Sequence, residues 1–270
     1  MNEMNYVWYS DATCETGREL AAALGYESGR HAPKEGTEFL ICWGNRLPLL
    51  KLSTQRRINR LISEGRCLNN PMILQGAKNK YVASKTMFNN GVRTPMTCSP
   101  NEIVNKIFYG EMKFPVIGRK FHHQAGNCFH LCKDGREAIE AMNSVEYFVQ
   151  MIPNQKEYRI HVFMGECIGI SKKVEDYDYE GERQEYCRSH LKGWRFANKR
   201  MRDRYMPMVE EAKKAVSALG LDFGAADIVI NEDGKPWVVE VNSGPGMIGR
   251  NMERYAEAIR IIENEIRGVC

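Results

Sequence analysis

Two apolar runs late in the chain, residues 226–230 and 237–241, flank the turn sequence Asn231-Glu232-Asp233-Gly234-Lys235-Pro236. Runs rich in Ile, Val and Trp around Asp-Gly predict a β-hairpin. Centred on Asp233-Gly234, the hairpin sets Ile228 against Val239 and Ile230 against Trp237. Ala226 and Val241 complete one apolar face, because side chains alternate along a strand. The other face sets Asp227 opposite Glu240, with Asn242 two residues further on. A wider loop would shift this register.

The rest of the chain alternates between helical and strand periods. "MNYVWY" and "EFLICWG" read as strands. "TGRELAAALG" and "QRRINRLISEG" read as helices, the first stopping at Gly25. These predict an N-terminal α/β lobe over residues 1–70, closed by "LNNP". "KNKYVASKTMFNNGVRTP" predicts a helix with Tyr81, Ser84, Met87 and Phe88 along one side. "KFPVIGRKF" reads as a strand, "HHQAGNCFHLC" as a turn and returning strand, "GREAIEAMN" as a short helix and "EYFVQMI" as a strand. They make a central lobe over residues 71–148. A C-terminal lobe over 149–270 opens with a hairpin around Gly165, in "EYRIHVFMGECIGISKKV". The polar stretch 174–205 reads as a binding or lid loop. "PMVEEAKKAVSALG" is an amphipathic helix with Val209, Ala212, Val216 and Leu219 on its stripe, and a last helix follows the hairpin. The whole is an α/β chain without internal repeats.

Composition narrows the class. With 270 residues, 43% hydrophobic and 27% charged, the chain has the make-up of a globular protein with a good core. A net charge of +4 is too mild to argue for nucleic acid, but it suits a polyanionic ligand. The basic run "NKRMRDR", downstream of Trp194 and Phe196, raises single-stranded nucleic acid. An anionic substrate or a solvated face explains so short a run better. No apolar run approaches a membrane span, and the first residues carry acids where a secretory signal needs basic and apolar ones. A cytoplasmic location is expected. The nine cysteines include no CxxC pair, which fits reduced thiols rather than a disulfide frame.

The opposed acids carry the chemistry. Like charges facing each other across strands repel, and partial burial raises the cost. A bound cation relieves it. Two carboxylates and an amide oxygen are hard donors, suited to Mg²⁺ or Mn²⁺. The competing account is an exposed strand face with two solvated acids.

Several segments together resemble the ATP-grasp superfamily, in particular its RimK-like carboxylate–amine ligases. "LGLDFGAADIVI…PWVVEVNSGPG" is similar to the closing motif of that family, and the resemblance implies that Asp227, Glu240 and Asn242 hold Mg²⁺ against ATP phosphates. "NKYVASKTMFNNGVRTP" resembles the segment that opens the family's nucleotide-binding lobes, with Lys80 at the nucleotide-contacting position. "FPVIGRKF" places Arg119 where the family usually has a phosphate-binding Lys. "YFVQMIPNQKEYRIHVF" resembles the adenine hinge and an acid-x-Arg element. It implies Gln150, Met151 and Ile152 near the base and Arg159 toward phosphate and substrate. "GWRFAN" resembles a substrate-side element, with Arg195 and Asn198 at its basic and amide positions. The family's phosphate loop is glycine-rich, whereas "HHQAGNC" holds only Gly126, so either His122 or His123 would contact phosphate by side chain or the loop would bind differently.

What the resemblance implies is an ATP-dependent ligase that makes an amide or peptide bond through an acyl phosphate. Its partners would be a carboxylate substrate and an amine substrate, the latter an amino acid, a peptide or a protein tail. A kinase on the same nucleotide site, or a module that binds ATP without turnover, are the alternatives.

Overall fold

The computed structural model describes residues 4–10, 14–45, 50–121, 130–153, 156–183 and 188–268. The first sheet uses strands whose apolar residues are nearly continuous. They are β1 (Met4–Tyr9), then helix α1 (Glu15–Leu24), β2 (Glu27–Gly29), β3 (Thr37–Trp43), helix α2 (Leu52–Ser63) and β4 (Cys67–Leu68). The order is β2-β1-β3-β4 and every pair is parallel. Parallel sheets need cover on both faces, so no strict alternation is expected. Val7, Phe39, Ile41 and Trp43 pack with α1 and the C-terminal helix, while Trp8, Leu40 and Cys42 pack with α2. Gly25, at φ 76°, ends α1 in the left-handed conformation that glycine adopts without strain. The short strands β2 and β4 carry too few residues to show a period in the sequence.

The middle of the chain runs α3 (Pro71–Lys78), α4 (Lys80–Asn89), β5 (Thr97–Cys98), α5 (Pro100–Phe108), β6 (Val116–Arg119), β7 (His130–Cys132), α6 (Gly135–Ala141) and β8 (Tyr147–Gln150). The strands form an antiparallel sheet of order β5-β8-β6-β7. One face buries Cys98, Val116 and Phe148 against Ile103 of α5 and Ala138 of α6. Helix α5 is absent from the sequence reading above. Its start is written in "SPNE": Pro100 opens the first turn, and the Glu102 carboxylate accepts from the Ser99 N–H at 2.8 Å. In α4, Ser84 and Met87 are buried as expected, but Phe88 is 53% exposed, and Ala83 takes the inward position. The inward residues of α3 and α4 join the core beneath the third sheet, together with α2. That packing ties together segments assigned above to different lobes.

The third sheet is built from β9 (Lys156–Phe163), β10 (Glu166–Glu175), β11 (Trp194–Lys199), β12 (Phe223–Ile230) and β13 (Pro236–Asn242), with α7 (Met206–Ala218) before β12 and α8 (Asn251–Arg267) closing the chain. All pairs are antiparallel, in the order β11-β10-β9-β12-β13. Its dry face carries Tyr158, Ile160, Ile170, Ala226, Ile228 and Val238 onto the Val209, Ala212 and Val216 stripe of α7. Two expectations are corrected. The stretch 174–205 is not one loop, because β10 continues to Glu175 and Trp194–Lys199 forms strand β11. Its alternation is diluted by Lys and Arg, which masks the strand period. The hairpin register holds at Ala226↔Val241 and Asp227↔Glu240 but slips beyond them, so Ile228 pairs with Val238 and Val229 with Trp237. The bulge expels Val239, 40% exposed, from the apolar face it was expected to join. Among the described residues no helix is long and apolar enough to cross a membrane.

Candidate active site

The polar face of the third sheet carries a single transverse row. Cα partners run Asn198↔Ser171, Ser171↔Arg159, Arg159↔Asp227 and Asp227↔Glu240, so five strands each contribute one residue. Directly paired residues share a face, which puts all five side chains on the side opposite α7. The sequence placed Asp227 opposite Glu240 correctly. It did not reveal that Arg159 sits directly across from Asp227 on the other side, because that pairing is non-local.

Arg159 grips Asp227 through two parallel bonds, Nε to Oδ1 at 2.7 Å and Nη2 to Oδ2 at 2.8 Å. Bidentate guanidinium–carboxylate pairs are the strong form of this contact. Burial opposes the charge on Asp227, and the Arg159 guanidinium outweighs it, holding the carboxyl below its ordinary range. Asn242 Nδ2 also donates to Asp227 Oδ2 at 3.2 Å. Glu240 has its own cation, with Lys80 Nζ 2.9 Å from Oε1. The repulsion between Asp227 and Glu240 is therefore answered within the chain, without any metal. The neighbouring row holds Phe196, Lys173, Glu157, Val229 and Trp237. Lys173 pairs with Glu157, and both Arg159 and Lys173 lie over the Phe196 ring at 4.4 and 4.8 Å. Burial raises the Glu157 carboxyl and the Lys173 charge opposes that shift. Sequence reasoning missed this pair, although alternation from Arg159 and Ser171 would have put both residues on the same face.

Lys80 and Arg119 approach from the middle of the chain. Asn79 Oδ1 accepts from the Tyr81 and Val82 N–H groups at 3.1 Å each, which caps α4 and fixes Lys80 at its first position. Arg119 ends β6 across from Tyr147. Tyr147 stacks with Phe121 and lies beside Tyr81. Its hydroxyl is pushed up to about 12 by burial, with Arg119 opposing and Glu240 adding to the shift. Gln150 ends β8 on the face of Val116, away from Arg119. Its N–H and that of Met151 are bonded to Met96 and Pro115 carbonyls, at 2.9 and 3.1 Å. Met151 and Ile152 follow, half-buried, in the link to β9.

The two substrate-side residues separate. Asn198 lies in the transverse row and accepts from Ser171 Oγ at 2.9 Å. Arg195 pairs with Val174, so it points to the opposite face of the sheet and sits 3.8 Å from Asp176. An odd offset along one strand sets them on opposite faces, so they do not converge. His122, His123 and Gly126 lie outside the described residues.

Behind the row is a buried polar network. Asn251, at the start of α8, donates to His161 Nε2 at 3.2 Å and reaches Ser171 Oγ and Asn198 Oδ1 at 3.4 Å. Burial, then the nearby Arg159 charge, lower His161 to about 3, so it is neutral. At the other end of the row, Gly244 after β13 meets Gly44 after β3. A Cβ on Gly244 would lie 2.8 Å from the Gly44 nitrogen, so this close approach of the two backbones needs glycine.

The fold matches solved structures over nearly the whole chain. A D-alanine–D-alanine ligase from Bacillus anthracis superposes with a TM-score of 0.66 at 15% identity, over 98% of this chain and 97% of that one. The ATP-grasp ligase PsnB, complexed with minimal precursor, Mg and ADP, superposes with a TM-score of 0.64 at 14% identity, over 97% and 99%. The chain has the ATP-grasp fold. The macrocyclase MdnC from Microcystis aeruginosa, bound with precursor peptide MdnA, superposes with a TM-score of 0.60 at 14% identity, over 97% of this chain and 100% of that one. By sequence, the chain is 26% identical over 176 residues to the D-alanine–D-alanine ligase of Fusobacterium nucleatum, which is 63% of this chain and 56% of that relative. The chain thus spans little more than half the length of that curated relative. No family model matches it.

The ATP-grasp fold implies a nucleotide and a divalent ion, and the residues here fit both. Asp227, Glu240 and Asn242 offer hard oxygens from two adjacent strands. Lys80 occupies one of those oxygens here, 2.9 Å from Glu240 Oε1.

Proposed function

We propose that this ATP-grasp chain is an ATP- and Mg²⁺-dependent ligase that joins a carboxylate to an amine. The transverse row carries the proposal. It lays Asn198, Ser171, Arg159, Asp227 and Glu240 along one wall, with Lys80 against Glu240. A site with paired acids at one end and guanidinium in the middle suits phosphoryl transfer to an anionic oxygen. The RimK-like reading rests on the "EYR" and "EVNSGPG" motifs.

In this reading a substrate carboxylate oxygen bonds to the γ-phosphorus of ATP as the bond to the ADP oxygen breaks. Lys80 and Arg119 hold the phosphates and offset the charge that builds on them. Asp227, Glu240 and Asn242 would hold a divalent ion, which would supply Lewis-acid stabilisation to the phosphoryl transfer. The product of this step is an acyl phosphate. The amine nitrogen then bonds to the acyl carbon, the carbon–oxygen bond to phosphate breaks, and the nitrogen sheds a proton. Arg159 stabilises the oxyanion formed at that carbon. It is held in place by Asp227, so it keeps its charge and direction throughout. Arg195 has no part in this step, because it lies across the sheet. The chain's main work is positioning and keeping water from the acyl phosphate.

The test is ADP release in Mg²⁺-ATP across a matrix of amino acids and peptides, with mass spectrometry of products and hydroxylamine trapping. A hydroxamate and an amide product support the ligase. A stable phosphomonoester makes it a kinase. Nucleotide binding without ADP release over the whole matrix makes it a binding module.

A further inference from the structure

The polar network behind the transverse row ends on groups that can act in only one way, and these fix the direction of every bond between them. Arg254 ends one branch. A guanidinium only donates, and its Nη1 lies 3.3 Å from Asn251 Oδ1, so that oxygen accepts. The other arm of the Asn251 amide, Nδ2, is then the donor that lies 3.2 Å from His161 Nε2. Nε2 is therefore the bare ring nitrogen. Nδ1 carries the proton and gives it to the Tyr255 hydroxyl at 3.4 Å. Tyr255 donates in turn to the Gly224 carbonyl at 3.4 Å, and a carbonyl only accepts.

The second branch ends on the Ile248 carbonyl. Asn198 Nδ2 donates to it at 3.3 Å, so the Asn198 amide turns its nitrogen there and its oxygen inward. Asn198 Oδ1 receives the Ser171 hydroxyl at 2.9 Å and Asn251 Nδ2 at 3.4 Å. Ser171 and Asn251 are each 1% exposed. Two glycines make room for this. A Cβ on Gly249 would lie 2.7 Å from Asn198 Nδ2, and one on Gly169 would lie 2.6 Å from Asn251 Oδ1. The Asn198 carboxamide is thus held from three sides. A primary amide has two N–H donors. Ile248 takes one, and the other has no partner among the described residues, on a residue exposed at the end of the row.

We infer that Asn251 is a positioning residue that aims the Asn198 carboxamide, and that the open N–H of Asn198 binds a second carbonyl oxygen of the carboxylate substrate. This inference rests on the ligase reading above and deepens it. Asn198 stands two strand steps from Arg159, about 10 Å at about 4.8 Å per step. An oxygen bound at Asn198 therefore does not belong to the reacting carboxyl group. An extended chain covers about 3.3 Å per residue, so the two groups lie about three residues apart. The substrate carries a carbonyl at that distance inward from its reacting end. Asn251 touches no substrate in this arrangement. It acts through Asn198, whose oxygen it and Ser171 hold turned away from the cleft.

The experiment is nitrogen-15 NMR of the full chain, and it needs no turnover. The His161 ring shifts should show a bare Nε2 and a protonated Nδ1. N-acetylalanine and N-acetyltetraalanine are then titrated, with the Asn198 side-chain amide as the probe, identified by its loss in Asn198→Asp. One of its two N–H protons should shift. The longer acid should half-saturate that shift at about fivefold lower concentration, the worth of one hydrogen bond. In Asn251→Ala, folded by its thermal melt, this preference should fall below about twofold. Ser171→Ala removes the other donor to Asn198 Oδ1 and should act in the same direction. A protonated Nε2 overturns the inference. So does equal half-saturation by the two acids, or a preference that survives in both variants. ADP release and its loss in Glu240→Gln judge the ligase reading separately. ADP release without the NMR preference would place the substrate's grip elsewhere on a working ligase. The preference without ADP release would uphold the Asn198 contact and sink the ligase chemistry.

Discussion

The first and third sheets look alike in sequence, and they do opposite things. In the first, β1 and β3 are apolar on both faces, and each face is covered by helices. In the third, β9 and β12 are also largely buried, β12 at all but its last residue, yet they carry Arg159, His161 and Asp227. The first sheet hides carbon from water. The third hides charge, and can do so only because each charge has a partner one strand away. A buried strand is therefore no guide to a dry one. The difference lies in pairing across strands, which no single strand reveals.

The contrast predicts different failures. Removing carbon from the first sheet should cost stability through a cavity. Trp8 is fully buried and donates its indole N–H to the Arg30 carbonyl at 3.0 Å. Trp8→Ala should cost about 4 kcal/mol in urea unfolding, while Trp8→Phe, which refills most of the space, should cost about a third of that. If the two variants were equal, cavity volume would not be what the first sheet depends on.

The third sheet should fail through stranded charge. Arg159→Ala leaves Asp227 buried without its guanidinium, at a cost of about 3 kcal/mol and with loss of turnover. The double variant Arg159→Met/Asp227→Leu removes both charges. It should recover most of the stability and none of the ADP release. A double variant as unstable as Arg159→Ala would mean that packing, and not charge pairing, makes this sheet stand.

Acid offers a gentler probe of the same sheet. His161 is buried and held at about 3, whereas an exposed imidazole titrates near its ordinary value of about 6.5. As pH falls through that window the unfolded chain takes up a proton that the folded chain refuses. Stability is therefore full above about pH 6.5 and declines as pH drops toward about 3. Between pH 7 and 4.5 the loss from this group is about 2 to 3 kcal/mol. Denaturant melts of wild type and His161→Gln at both pH values measure it, since the variant should lack this part of the acid sensitivity. Identical pH slopes would mean that His161 is not kept neutral by folding.

How much of this could be read from sequence follows from the range of each interaction. Local rules carried the strands 4–9 and 37–43, the Gly25 stop, the α7 stripe and the Asp227–Glu240 opposition, all of which are set by neighbours or by one turn. The bulge that expels Val239 was not legible, because a hairpin with one extra residue has the same composition as one without. Helix α5 was legible in its Ser99-Pro100-Asn101-Glu102 start, and its weak stripe hid it, since only Ile103 among its residues is fully buried. Strand β11 was lost in its own charge, and with it the fact that Arg195 and Asn198 face apart. The bidentate Arg159–Asp227 contact joins residues 68 positions apart, and nothing in either segment names the other.

The finest distinction concerns Glu240. Two opposed acids in isolation would make Glu240→Gln stabilising, because a repulsion is removed. Lys80 changes the sign of that expectation. Its ammonium lies 2.9 Å from Glu240, and the side chains are 24% and 31% exposed. A pair so placed is worth about 0 to 1 kcal/mol, and losing it offsets the relief of the repulsion from Asp227. Glu240→Gln should therefore shift stability by no more than about 0.5 kcal/mol, the smallest effect among these variants. Its effect on catalysis should be the opposite in scale, with ADP release lost and Mg²⁺-ATP affinity reduced, because a neutral amide cannot replace a carboxylate against a divalent ion. The two readings separate cleanly in one variant. A Glu240→Gln protein that melts unchanged and releases no ADP has lost a functional charge. One that melts unchanged and still turns over has shown that Glu240 is only the partner of Lys80.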